Sequence, residues 1–231
     1  MTTTTMRKTG LTTRTFGIEM ELLLPEAQPG MAGRRWLAEQ LTAGGFPTQF
    51  EGYHHRTTRA WKVVTDGSLD HRFGAEVVSP VLSGPEGLEE IRKISAILQR
   101  AGCRIRTSCG LHVRHSAEGY TTTSLRTLVR MVNRFQPVFH GLLPASRRSN
   151  QYAQAFSDAE LEQVERYARS RAGQPLVRRT PGGRLSATQD GVGVGRGLNR
   201  FRSLNVHALT RHGTLEFRQH SGTIEAEKII P

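Results

Sequence analysis

Phe16-Gly17-Ile18-Glu19-Met20-Glu21-Leu22-Leu23-Leu24 is an apolar run held between Gly17 and Pro25, and it reads as a β-strand. Side chains alternate across a strand, so Glu19 and Glu21 share one face while Ile18, Met20 and Leu22 share the other. Two adjacent carboxylates repel each other, and burying either one uncompensated costs several kcal/mol. A divalent cation with oxygen ligands, such as magnesium, neutralises them. An edge strand with a solvated acidic face is the plainer reading of a lone Glu-x-Glu.

Working outward, Gly33–Gly44 has helical spacing through Trp36, Leu37 and Leu41, and 46–50 resembles an edge strand. Residues 60–65 and 74–80 read as strands, the second ended by Pro80. Pro85 opens a helix to about Ala101. Residues 108–115 form a strand with His112 and Arg114 on one face, and Thr123 or Ser124 starts a helix that breaks near Pro137. Ser157-Asp158-Ala159-Glu160 is a capping box for another helix, giving a helical insert over about 123–172. Residues 173–197 are rich in Gly and Arg, lack core residues and read as a mobile lid or a disordered excursion. Two closing strands cover 201–209 and 214–220, with Glu216 and Arg218 on one face of the last. Ile229-Ile230-Pro231 begins a further element, so a terminal helix would follow. Together these give an α+β fold, an antiparallel sheet with flanking and inserted helices, as one domain over 16–231.

The 231 residues are 36% hydrophobic, enough for one sizeable core, and no apolar run reaches membrane-spanning length. Residues 1–15 are Thr-rich and basic and read as a disordered arm, not a secretory leader. Cys103 and Cys109 could pair, but a cytoplasmic, reduced setting is the default. Cys109 and His112 lack a nearby second Cys/His pair, which argues against zinc. The net charge of +12, mostly arginine, favours polyanions: nucleic acid, nucleotides or acidic peptides. Arg147-Arg148 and Arg178-Arg179 read as solvated charge.

Four strands thus place Glu19 and Glu21, Glu76, His112 with Arg114, and Glu216 with Arg218 on one face. Carboxylates need cations and arginines need anions; two magnesium ions bridged to nucleotide phosphates satisfy both.

FGIEMEL, VVTDGSL, GAEVVSPVLSG, CGLHVR, RFRSLN and TLEFRQHSGT, in this order over about 16–223, resemble the amidoligase family. These are carboxylate–amine ligases of the glutamine synthetase and glutamate–cysteine ligase fold. The resemblance implies a partly closed sheet of glutamine synthetase catalytic-domain type that binds ATP with magnesium, or manganese in its place. It implies amide formation through an acyl phosphate, on a carboxylate and an amine; the basic charge adds the expectation of an anionic peptide or amino acid as substrate. It carries Glu19, Glu21, Glu76, His112 and Glu216 over as metal ligands, and Arg202, Asn205 and Arg218 as groups that meet ATP or the acyl phosphate. Asp66, in the Asp-Gly-Ser turn with Ser68, would orient the amine. The family usually has a second histidine where this chain has Arg114, a cation that binds phosphate or substrate carboxylate instead of metal. The alternative is a basic nucleic-acid-binding protein, or a ligase acting on modified nucleic acid.

Overall fold

Strand alternation sets the architecture. In β1 (Phe16–Leu23), Ile18, Met20 and Leu22 are fully buried on one side, with Glu19 and Glu21 on the other. The computed structural model describes residues 14–52 and 59–230. The arm expected over 1–15 therefore falls outside the described residues, except for Arg14 and Thr15. Arg14 donates to the Ser116 and Glu118 carbonyls, at 2.6 and 2.8 Å.

The described chain is a mixed α+β fold with eight helices and a seven-stranded sheet. The first half supplies α1 (Gly30–Ala43), β2 (Thr48–Phe50), β3 (Trp61–Val64), β4 (Gly74–Val78), α2 (Gly84–Arg100) and β5 (Leu111–Ser116). The second supplies α3 (Thr122–Leu142), α4 (Ala145–Arg148), α5 (Asp158–Ser170), β6 (Val177–Arg179), β7 (Leu185–Ala187) and α6 (Gln189–Gly195). It ends with β8 (Leu204–Asn205), α7 (Ala208–His212), β9 (Thr214–Phe217) and α8 (Ala226–Ile229). The sheet order is β2-β3-β4-β1-β5-β9-β8. Every pair in it is antiparallel except β2–β3, which is parallel.

Two apolar clusters hold the elements. The first joins Met20, Leu22, Val63 and Val77 of the sheet to Leu37 and Leu41 of α1 and Ile91, Ile94 and Leu98 of α2. Pro85 begins α2 where a missing N–H costs nothing, as the sequence leads one to expect. The second joins Leu125 and Val129 of α3, Val164 of α5, Leu176, Val177, Val194 and Leu204.

Three expectations are corrected. α3 does not break at Pro137 but runs on to Leu142. The proline ring faces solvent, and the preceding Gln136 is buried: its Oε1 accepts from Ser203 Oγ outside the helix and its Nε2 lies against His140 Nε2 one turn on, both at 3.0 Å. Residues 173–197 do supply core: Leu176, Val177 and Val194 are buried in a hairpin and a helix that Thr188 caps. Residues 201–209 are strand only at β8, because α7 follows at once. Gly213, at φ 65°, then turns the chain into β9, a left-handed conformation that suits glycine.

The capping box at Ser157 forms as expected, and Glu160 gains more partners than a cap requires. It accepts from Ser157 N (2.9 Å) and Asn199 N (2.9 Å) and pairs with Arg202 (2.7 Å). Burial would raise this carboxyl, yet these hydrogen bonds and Arg202 hold it below its ordinary value. Glu160→Ala removes the side-chain half of the capping box and a largely buried ion pair, so urea unfolding is expected to show a loss of about 3 kcal/mol. Because the folded-state pKa is depressed, Glu160 stabilises the fold above the ordinary carboxylate pKa. That contribution disappears as pH falls through the depressed value. The mutant is therefore expected to lose less stability than the parent between neutral and acid pH.

Candidate active site

The register builds the site rung by rung. Asn205 of β8 lies opposite Glu216 of β9, which lies opposite Arg114 of β5. His112 of β5 lies opposite Glu19 of β1. Glu21 of β1 lies opposite Glu76 of β4. Antiparallel partners on one face point the same way, so five strands deliver these side chains to one surface. That surface lines a cleft of about 1540 Å³, larger than the roughly 300–1,000 Å³ of most ligand pockets.

At the centre, ligand atoms of Glu19, His112 and Glu216 all lie within 4.8 Å of one another. Glu19 Oε2 is 3.2 Å from His112 Nδ1, and Glu216 Oε1 is 3.7 Å from the same nitrogen. Glu21 Oε1 is 3.6 Å from His112 Nε2, and Glu21 Oε2 accepts from the Gly110 N–H at 2.6 Å. Gly110 permits that approach: a Cβ there would stand 3.2 Å from His112 Nε2 and 3.3 Å from Glu21 Oε2. Among the described residues no cysteine joins this ligand-spaced group, and Cys103 and Cys109 are both free and buried. Burial pushes the Cys103 thiol up to about 12, and Cys109 upward as well.

Two arginines answer the carboxylates. Arg114 Nε is 2.6 Å from Glu19 Oε1, and its Nη2 is 3.5 Å from Glu216 Oε2. Arg218 Nη1 is 2.5 Å from Glu216 Oε1. Burial opposes charge on Glu19, but Arg114 and His112 outweigh it and hold the carboxyl well below the usual range. Burial likewise disfavours charge on Arg114, yet Glu19 and Glu216 raise its pKa, so it stays a cation. Glu76 meets the opposite balance: burial, then Glu19, Asp66 and Glu21, push its carboxyl well above the usual range.

Asn205 donates to Glu216 Oε2 at 2.7 Å, and its Oδ1 is buried without a partner. Asp66 lies on the cleft wall, its Oδ1 accepting from Ser68 N and Oγ at 2.6 Å each. Arg202 is not brought in: Glu160 takes up its guanidinium, and it does not line the cleft. His115 points to the opposite face, edge-on to Phe217.

Lys62 and Arg147 are buried cationic residues of the cleft that the sequence reading missed. Lys62, only 3% exposed, sits on the cleft side of β3, 4.0 Å from Glu51. A lysine inside the apolar run Trp61–Val64 is the signal that could have found it. Arg147, read as solvated charge, is 3% exposed and donates to the Arg218 carbonyl at 2.6 Å. It reaches the site because α4 carries it onto the chain leaving β9, a tertiary contact with no local signature. Arg179 is exposed but lines the cleft while pairing with Glu118 at 2.5 Å.

Among the described residues, no helix is long and apolar enough to cross a membrane. No curated protein and no solved structure matches this chain. Residues 12–231 match the family described as "putative amidoligase enzyme", which supports an enzyme with ligase chemistry. With the match spanning essentially its whole length, the chain belongs to the amidoligase family.

Proposed function

We propose that this chain is an ATP-dependent ligase that joins a carboxylate to an amine through an acyl phosphate, on a sheet of the glutamine synthetase type. The observation that carries the reading is the convergence of Glu19, His112 and Glu216 beside two arginines in one cleft. The donors are carboxylate oxygens and one imidazole, and the partnerless Asn205 Oδ1 adds a hard oxygen next to Glu216, a set that suits magnesium or manganese.

Glu19, His112 and Glu216 would hold one ion, and Glu21 and Glu76 extend the acidic face for a second. When bound, such ions neutralise phosphate charge and favour its transfer. Arg218 and Arg114 offer guanidinium forks to phosphate oxygens, stabilising the charge that develops as the γ-phosphoryl group moves to the substrate carboxylate. Asn205 orients Glu216 through its amide. Asp66, with Oδ1 engaged by Ser68, keeps Oδ2 to orient the amine and take its proton. Nitrogen then bonds to the acyl carbon and phosphate leaves. The cleft has room for nucleotide and both substrates together.

Arg184, Arg200 and Arg211 line the same cleft and form no ion pairs among the described residues. They suit an anionic substrate, an acidic peptide or amino acid. A second reading, a nucleic-acid surface or a ligase acting on modified nucleic acid, rests on these arginines and the +12 charge.

The reading is tested by following ATP consumption over a panel of carboxylates and amines. ADP and phosphate should be released only when both partners are present, and Glu19→Ala and Glu216→Ala should each weaken Mg–nucleotide binding in calorimetry. Release of AMP and pyrophosphate, or unchanged binding in both folded mutants, would contradict it. Arg218→Lys keeps the charge but loses the planar fork, so kcat should fall by roughly 10²-fold, the size of effect seen on removing an oriented donor. Stopped-time product assays measure this directly, and an unaltered kcat would remove Arg218 from the chemistry.

A further inference from the structure

At the Glu19–His112–Glu216 position the two carboxylates are matched by two guanidinium groups. Glu19 and Glu216 carry two negative charges, and Arg114 and Arg218 carry two positive ones within 2.5–3.5 Å of their oxygens. The contacts divide each carboxylate. Arg114 takes Glu19 Oε1 and stands nearest Glu216 Oε2, while Glu19 Oε2 and Glu216 Oε1 face His112 Nδ1. An ion at the three-residue position would therefore share both carboxylates with a fixed guanidinium. Arg218 also occupies Glu216 Oε1, one of the oxygens the ion would need. Arg218 is further anchored, its Nε donating to the Tyr152 carbonyl at 3.2 Å.

Resting on the ligase reading, we propose that Arg114 and Arg218 act as a charge lock that keeps this position closed to a divalent ion until an anionic phosphate chain arrives. The phosphate chain draws the two forks off the carboxylates and adds the negative charge that a divalent ion requires. Ion and phosphate thus load together, and each raises the affinity for the other by the same factor. Arg114 and Arg218 are positioning residues in this role, distinct from their contact with phosphate during transfer. The lock sets the order of loading and prevents a bare ion from occupying the site.

The test measures Mn²⁺ binding to the nucleotide-free protein by the loss of the free-ion electron paramagnetic resonance signal. Arg114→Gln and Arg218→Gln each remove one positive charge beside the position, so each should bind Mn²⁺ at least about tenfold more tightly than the parent. The gain should vanish when Glu216→Ala is added to either. Mn²⁺ should also raise the unfolding temperature of Arg114→Gln more than that of the parent. Equal or weaker Mn²⁺ affinity in the variants would overturn the lock, as would a gain that survives Glu216→Ala. Should Arg114→Gln fail to fold, Arg218→Gln decides alone. The readout needs no turnover, so loss of the lock and loss of the ligase activity are separate results.

Discussion

Carboxylates forced together on one sheet face are the constraint on which the rest of this structure depends. Glu21 and Glu76 face each other across β1 and β4, a like-charge pair that opposes strand pairing. Glu76 records the conflict: burial and its acidic neighbours push its carboxyl well above the ordinary range. The sheet tolerates this because the opposite face is apolar and deeply packed, with Met20, Leu22, Val63 and Val77 all buried against α1 and α2. Core burial on one side holds in place a charge arrangement that would otherwise relax.

The second apolar cluster backs the stretch that brings Arg179 and Arg184 to the cleft. Leu176, Val177 and Val194 anchor the Gly- and Arg-rich stretch, so its arginines are presented from a packed base. Glu160 and Arg202 fasten the region from α5 to β8 by an ion pair away from the cleft. Arg202 therefore serves the frame in this structure, while Arg218, two residues after Glu216, serves the site. The family resemblance put Arg202 in the site through the RFRSLN motif, whereas the strand period put Arg218 beside Glu216.

Much of the site is legible in the strand period alone, since a period of two assigns each strand residue to a face. Glu19, Glu21, Glu76, His112, Arg114 and Glu216 all follow from it, and the register brings them together. What the pattern could not supply are contacts made by chain folding back from elsewhere. Arg147 enters through α4, and its neighbour Arg148 caps a local carbonyl instead. Local propensity also misjudged three boundaries. Pro137 sits in a helix because Gln136 is fixed on its buried side, residues 204–212 change from strand to helix within three residues, and 173–197 find a core that their composition does not advertise.

Under the proposed function, the acidic face holds divalent ions for a nucleotide. A crystal structure with Mn²⁺ and a non-hydrolysable ATP analogue tests it most directly, with data collected at the manganese absorption edge. The expected result is an anomalous peak between Glu19, His112 and Glu216, with the phosphate chain against it and the guanidinium of Arg114 or Arg218 on the phosphate. A nucleotide bound elsewhere, or an anomalous map empty at those three residues, would contradict it.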